Sequence, residues 1–376
     1  MTSISNFIFN FNYQLRSVII GKSITSIGQY AFNGTYSLKS LTIPEEIASL
    51  TINDYAFQNS GTTSLIIMGN TEFVCTENAL SDSFWNTLYV TEKYTRGTGT
   101  RTISGREMKV IPSTTTGTCG ETCQWILFED GYLYIYGEGK MEDYDEGRRP
   151  TWYSKRKSIK RIRVEYGIIT IGNYAFNGMS EVREIDIMNS VISIGSYAVS
   201  ECSSLKELII PEGVETIESN GITDCESLTT LILPSTLITI KNNGIINCDK
   251  LEYIYHYSTM KPSSTGSGLL SGCKTDVIHI FSSTTYGTID GVTIEQPTGT
   301  SGEVFYFISD DKTSLLIYGI GHMKDNYYLK TETGGTTAPW AVYRDTLTTA
   351  KIEYGVTSIC IGAFFILNQA MTEDTI

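Results

Sequence analysis

A 23-residue period runs without a slip from Ile168 to Met260, and it constrains this chain more than any short motif. Ile168, Val191, Val214 and Leu237 share one phase, and Ile171, Ile194, Ile217 and Ile240 share a second. A strand-like L-x-x-L-x-L run recurs at the same interval, from Leu205/Leu208/Ile210 to Leu228/Leu231/Leu233 and Leu251/Ile254/His256. A unit this short cannot bury its own apolar face, so successive copies must stack and share one continuous core. Each unit carries two short apolar runs and no sustained 3.6-residue pattern, which predicts short strands and few helices. The expected fold is a repeat solenoid, mainly β.

The period appears in three blocks separated by two copies of a second kind of sequence. Block 1 is expected over 1–92, a terminal hairpin or linker over 93–112, a β-rich module over 113–164, and block 2 over 165–283. A second hairpin or linker at 284–298 and a second module at 299–350 follow, and block 3 starts at 351–376. The modules are internal copies: Gly117-Thr118-Cys119-Gly120 returns as Gly299-Thr300-Ser301-Gly302, and Pro150-Thr151-Trp152 as Ala338-Pro339-Trp340. Within the first module, alternating apolar and aromatic residues about Glu129-Asp130-Gly131 predict a β-hairpin. The open repeat at the end predicts a fragment of a longer array or a truncated gene, because terminal repeats need caps. Asn6-Phe7-Ile8-Phe9 is read as an early repeat rather than a signal peptide, since it lacks a basic flank and keeps the repeat register.

Composition narrows the function. The chain has 376 residues, 41% hydrophobic and 18% charged, which suits a large buried core. A net charge of −13 argues against wrapping a phosphate backbone, so nucleic acid is not an expected partner. No run of apolar residues is long enough to span a bilayer as a helix. Cys202, Cys225 and Cys248 lie 23 residues apart in one phase, and the reading is a ladder of buried free thiols. Cys119 and Cys123 leave two readings open, a small disulfide loop or two free thiols. With only three histidines, no metal site and no cofactor are expected. His256 and His279 are also 23 apart, but their registers need not match because Cys273 lies 25 beyond Cys248. No nucleophile-elbow, zinc-helix or phosphate-loop motif is present, so no catalytic residue is assigned and the protein is expected not to be an enzyme. The Asn33-Gly34-Thr35 sequon sits at a repeat turn.

The unit V-x-x-I-G-x-x-A-F…L-x-x-L-x-I-P stands in Ile24-Thr25-Ser26-Ile27-Gly28-Gln29-Tyr30-Ala31-Phe32 and ends at Leu38-Lys39-Ser40-Leu41-Thr42-Ile43-Pro44. It resembles the BspA-like leucine-rich repeat family, and the G-T-C-G…G-x-G-x-M…P-W…E-x-G module is similar to the segment that separates repeat blocks in many of those proteins. The resemblance implies leucine-rich-repeat blocks interrupted by two small β-rich modules. It also implies a cell-surface or extracellular protein that adheres to host matrix proteins or to other cells. The alternative function is an intracellular scaffold for protein assembly, favoured by the unpaired cysteines.

Two surfaces are candidates for recognition. Strand side chains alternate, so the residue between two inward positions points outward. That phase reads Asp186, Ile209, Ile232, Tyr255 and Ile278, with Tyr253 and Tyr257 on the same face, an apolar stripe suited to a protein ligand. Its bland counterpart is a strand preference for β-branched residues or cover by a neighbouring surface. The second candidate is a basic patch. Arg148, Arg149, Lys155, Arg156, Lys157, Lys160, Arg161 and Arg163 fall within sixteen residues, and Arg156, Lys157, Lys160 and Arg161 are its centre. Such a patch attracts sulfated glycans or an acidic partner, unless it pairs with Glu142, Asp143, Asp145 and Glu146 as a solvated surface.

Overall fold

The structure, a computed structural model, describes residues 2–13, 15–16, 18, 20–97, 99–256, 263–264, 267–275, 277–280, 288–289, 291–295, 297–301, 304–308, 312–319, 321–322, 339–343, 346–352 and 356–358. The expected start of block 3 lies almost wholly outside these residues, as does Tyr257. The fold is a mainly-β repeat solenoid. The only helix among the described residues is two five-residue 3-10 turns, Thr151–Lys155 and Pro339–Tyr343. No helix of the described residues is long and apolar enough to cross a membrane. The chain packs as two compact units, Met1–Glu207 with Gly221–Ser227, and Leu208–Asn220 with Leu228–Ile376.

The first unit begins with β1 (Ser3–Ile4), β2 (Ser26–Ile27), β3 (Ser40–Ile43), β4 (Ser49–Ile52), β5 (Ser64–Ile67), β6 (Glu72–Cys75) and β7 (Thr87–Val90). Strands β1, β2, β4 and β6 pair in parallel as one sheet. Strands β3, β5 and β7 form another, with Leu41, Leu65 and Leu88 in one row and Ile43, Ile67 and Val90 in the next. These rows are the inward positions marked by the period, and they are buried together with Phe32 and Phe57. Phe9, Phe32 and Phe57 stack at centroid spacings of 5.2 and 5.1 Å, and Trp85 closes the column 4.6 Å from Phe57. The buried hydroxyls of Thr35, Ser60 and Thr62 bond to one another and to the Leu38 carbonyl, so this polar row inside the stack is satisfied.

Next come β8 (Gly99–Ile103), β9 (Arg106–Thr118), β10 (Cys123–Phe128) and β11 (Tyr132–Gly137). Strands β8 and β9 form an antiparallel hairpin. The first half of β9 runs parallel to β7, pairing Thr87 with Lys109 and Val90 with Pro112, while its second half runs antiparallel to β10. One strand therefore crosses the boundary at 112/113 that the sequence suggests between linker and module. The β10/β11 hairpin turns at Asp130-Gly131, where Gly131 has φ +86° and an added Cβ would come within 2.2 Å of the Ser158 carbonyl. Only glycine fits there. Downstream are β12 (Gly139–Lys140), β13 (Arg161–Val164), β14 (Ile168–Ile171), β15 (Glu184–Ile187) and β16 (Ser193–Ile194). Strand β11 pairs with β13 and β13 with β15, while β12 pairs with β14 and β14 with β16. The module is thus sewn into a single sheet that runs from block 1 to the first rungs of block 2.

In the second unit, Thr230–Leu233 and Tyr253–His256 pair in parallel with Leu231 beside Ile254 and Ile232 beside Tyr255. The next pairing sets Tyr255 beside His279 and His256 beside Ile280, one residue out of the earlier interval. This sheet continues into Val292–Glu295. The second module contributes an antiparallel hairpin, Val304–Ile308 with Ser314–Gly319, whose second strand pairs in parallel with Thr349–Ile352.

Candidate functional site: a sealed strand face and an open turn face

The outward strand stripe of block 2 is a core rather than an exposed binding surface. Ile232 and Tyr255 are each 1% exposed and pack with Leu316 of the second hairpin, and Ile209, Tyr253 and Phe307 pack against them half-buried. The alternation places these side chains away from the repeat core, as the sequence implies. What it cannot tell is that a hairpin more than fifty residues downstream covers them. Ile278 is corrected in phase as well: the register slip puts it beside the inward row, and His279 takes the outward place. His279 stacks 5.5 Å from Tyr255 and lies 5.6 Å from Phe307.

The first unit seals its own stripe in the same way. Ile66, Tyr89 and Ile111 on the strand sheet pack against Ile126, Phe128, Tyr132 and Tyr134 of the β10/β11 hairpin. The Tyr89 ring lies 4.9 Å from Phe128 and 5.0 Å from Tyr132, and the Tyr134 hydroxyl meets that of Thr42 at 2.8 Å. Around this aromatic layer runs a charged network. Arg161 bonds the Tyr89 hydroxyl and pairs with Asp130 at 3.2 Å. Arg163, almost fully buried, pairs with Glu165 at 3.0 Å and with Asp186 at 2.6 Å. Burial pushes the Tyr89 phenol up to about 12 and raises Tyr134 as well. Burial works against the charge of Arg163, but Glu165 and then Tyr132 and Asp186 outweigh it and hold the guanidinium protonated. A cavity of about 170 Å³ beside the network is lined by Lys39, Arg161, Arg163, Glu184 and Asp186. Lys39 pairs with Glu184 and the two arginines are paired as above, so the cavity has no free charge to offer a ligand.

The basic segment divides into two fates. Arg148 pairs with Glu142, while Arg161 and Arg163 turn into the network. Lys155, Lys157 and Lys160 are exposed, Arg149 and Arg156 are half-buried, and none of these five forms an ion pair among the described residues. The two arginines instead lie on aromatic rings. Arg156 sits 4.3 Å and Arg149 5.1 Å from the Tyr153 centroid, and Arg149 is also 5.0 Å from Tyr174. Tyr174 in turn stacks on Tyr197 at 4.8 Å.

Aromatic columns of this kind mark the turns of the first unit, and the sequence reading missed them. Phe7, Tyr30 and Tyr55 stack at 5.2 and 5.1 Å, and Tyr13 stacks on Tyr36 at 5.5 Å. Phe7, Phe11, Tyr13 and Tyr36 are each about half exposed. Phe7, Tyr30, Tyr55, Tyr174 and Tyr197 all have φ between 54 and 58°, the left-handed region that costs an L-residue about 1–2 kcal/mol. Later rungs fill the same phase with Asn220 and Asn243, at φ 55 and 54°. Asparagine enters that region at less cost, so the turn itself does not require an aromatic ring. The signal was present in I-G-x-Y-A, where Tyr30, Tyr174 and Tyr197 precede alanine.

The cysteines resolve the remaining choices. Cys119 and Cys123 are disulfide-bonded. Cys202, Cys225 and Cys248 are buried thiols that form no disulfide among the described residues; Cys202 donates to the Phe176 carbonyl and Cys225 to that of Val199. Among the described residues, no group of three or more His, Cys, Asp and Glu side chains is placed to hold a metal ion.

Residues 1–98 and 150–283 match the BspA type leucine rich repeat region, in six copies. No curated protein matches the sequence. Among solved structures, a leucine rich cell surface protein from Faecalibacterium prausnitzii is 19% identical, with a TM-score of 0.27 over 71% of this chain and 64% of the other. A leucine-rich repeat protein from Eubacterium ventriosum is 17% identical, with a TM-score of 0.32 over 77% and 84%. The pneumococcal vaccine antigen PcpA is 20% identical, with a TM-score of 0.25 over 79% and 66%. The repeat match alone spans well over half the chain, and repeat architecture of this kind serves protein interaction. The chain belongs to the BspA-type leucine-rich repeat family.

Proposed function

We propose that the protein is a non-enzymatic recognition solenoid, displayed at the cell surface, that adheres to matrix proteins or other cells through its turn face. One observation carries this reading: Phe7, Phe11, Tyr13 and Tyr36 stand on neighbouring turns, stacked on or beside one another and on Tyr30, and each of the four is about half exposed. Contiguous exposed aromatics of this sort mark protein-binding surfaces. Family membership supports display at the surface, and the Cys119–Cys123 disulfide suits an oxidising compartment. The five free cysteines among the described residues favour the second reading, an intracellular assembly scaffold.

The test is binding of the intact chain to immobilised matrix proteins and whole cells, with Tyr13→Ser/Tyr36→Ser compared against the parent. The expected result is loss of binding with an unchanged β circular dichroism spectrum. Equal binding by parent and variant would overturn the turn-face assignment. Fractionation of the native host separates the two compartments.

A further inference from the structure

We propose that the loop from Arg148 to Lys160 is a binding site for a sulfated polysaccharide; the site deepens the adhesive reading above by naming a second class of ligand. Residues 148–163 hold eight Lys and Arg and no Asp or Glu, in a chain whose net charge is −13. The sequence alone leaves open whether that charge is neutralised internally. Three of the eight are, through Glu142, Asp130 and the Glu165/Asp186 pair. Arg149, Lys155, Arg156, Lys157 and Lys160 are not, among the described residues.

The unpaired arginines are also held in place. A guanidinium stacks through its faces and donates through its edge, so the column Arg156, Tyr153, Arg149, Tyr174 fixes two planar donors and leaves most of their N–H groups free. Arg149 spends one N–H on Asn177 Oδ1 at 2.5 Å and Arg156 one on the Tyr153 carbonyl at 3.2 Å. Asp145, just before the loop, is occupied in part by accepting the backbone N–H groups of Gly147 and Arg148. Oriented guanidinium edges flanked by exposed lysines suit sulfate groups, which offer several oxygens to paired N–H donors and are repeated along a glycan chain.

Three polyanions present such groups, and the geometry selects among them. An acidic protein segment needs an apolar or aromatic pocket to anchor side chains, and here the Tyr153 and Tyr174 faces are taken by arginine and by Tyr197. Single-stranded nucleic acid needs free aromatic faces for its bases, which the same stacking denies it, and a duplex, whose phosphates need none, is one of the outcomes the test separates. A sulfated glycan offers oxyanions alone, which is what the loop can recognise.

The experiment measures binding of the intact chain to a heparin decasaccharide at two salt concentrations, with hyaluronan, a DNA duplex and a poly-glutamate peptide as competing probes. Binding to heparin that weakens with salt, and none to the unsulfated hyaluronan, is expected. Arg149→Gln/Arg156→Gln should weaken heparin binding by about tenfold or more. Arg149→Lys/Arg156→Lys, which keeps the charge but not the planar fork, should recover only part of it. Lys157→Gln/Lys160→Gln tests the same loop without touching the column, should the arginine variant fail to fold. No heparin binding by the parent, equal binding to hyaluronan, tighter binding to duplex or peptide, or variants that bind like the parent would each overturn the proposal. Loss of heparin binding with matrix-protein binding retained leaves the adhesive reading standing, and the Tyr13/Tyr36 variant makes the converse separation.

Discussion

Two faces of the first unit carry layers of aromatic residues, and they have opposite fates. On the strand face, Tyr89, Phe128, Tyr132 and Tyr134 form a closed layer between the strand sheet and the β10/β11 hairpin. On the turn face, Phe7, Tyr13 and Tyr36 stack in similar columns and stay about half exposed. Periodicity sets the direction of a side chain; whether that direction meets water depends on what else the chain folds over it. The modules are therefore covers for the strand face, and the turn face is the surface they leave open.

The comparison breaks most visibly at the sealed face. Ile232→Asp, harmless if the stripe were exposed, should cost more than about 4 kcal/mol by burying an unpaired carboxylate, read as a shift in the urea midpoint. Tyr89→Ala removes a ring from the same kind of layer in the first unit and should cost about 3–5 kcal/mol. His256 sharpens the contrast through pH. It fills an inward position, has no well-formed hydrogen bond at either ring nitrogen, and burial lowers its pKa from 6.5 to about 4, against the pull of Glu212 and the Pro234 carbonyl. The neutral ring is favoured in the fold, so its stability is present above pH 6.5 and is lost as pH falls toward 4. That loss amounts to about 3 kcal/mol, and His256→Leu should remove it, so urea curves of parent and variant diverge across this window. The smallest effect belongs to the open face: Tyr197→Ser should change stability by less than about 1 kcal/mol, the worth of one stacked pair.

Much of this was legible in the residues. Leu41, Leu65 and Leu88 announce the core, and the period announces a stacked fold. The cover over the stripe was half-legible. Trp125-Ile126-Leu127-Phe128 and Tyr132-Leu133-Tyr134-Ile135 are apolar on both faces, the mark of strands buried on both sides. The sequence does not state which surface such a strand covers, because that contact is long-range. Ile278 was misplaced because one added residue shifts the pairing, and a shift of one exchanges the two faces. In the basic run, charge was readable but pairing was not: Arg161 and Lys160 are neighbours, yet one joins a charged network and the other faces solvent.

Oxidative footprinting of the native chain by hydroxyl radicals, read by mass spectrometry, tests the sealed-face claim most directly, because both faces are scored on tyrosines in one sample. The account predicts fast modification of Tyr13 and Tyr36, which are 49% and 58% exposed, and protection of Tyr89, Tyr134 and Tyr255, at 4%, 1% and 1%. Fast modification of Tyr89 and Tyr255 in the folded protein would contradict it, because the strand stripe would then be open and the modules would not be its covers.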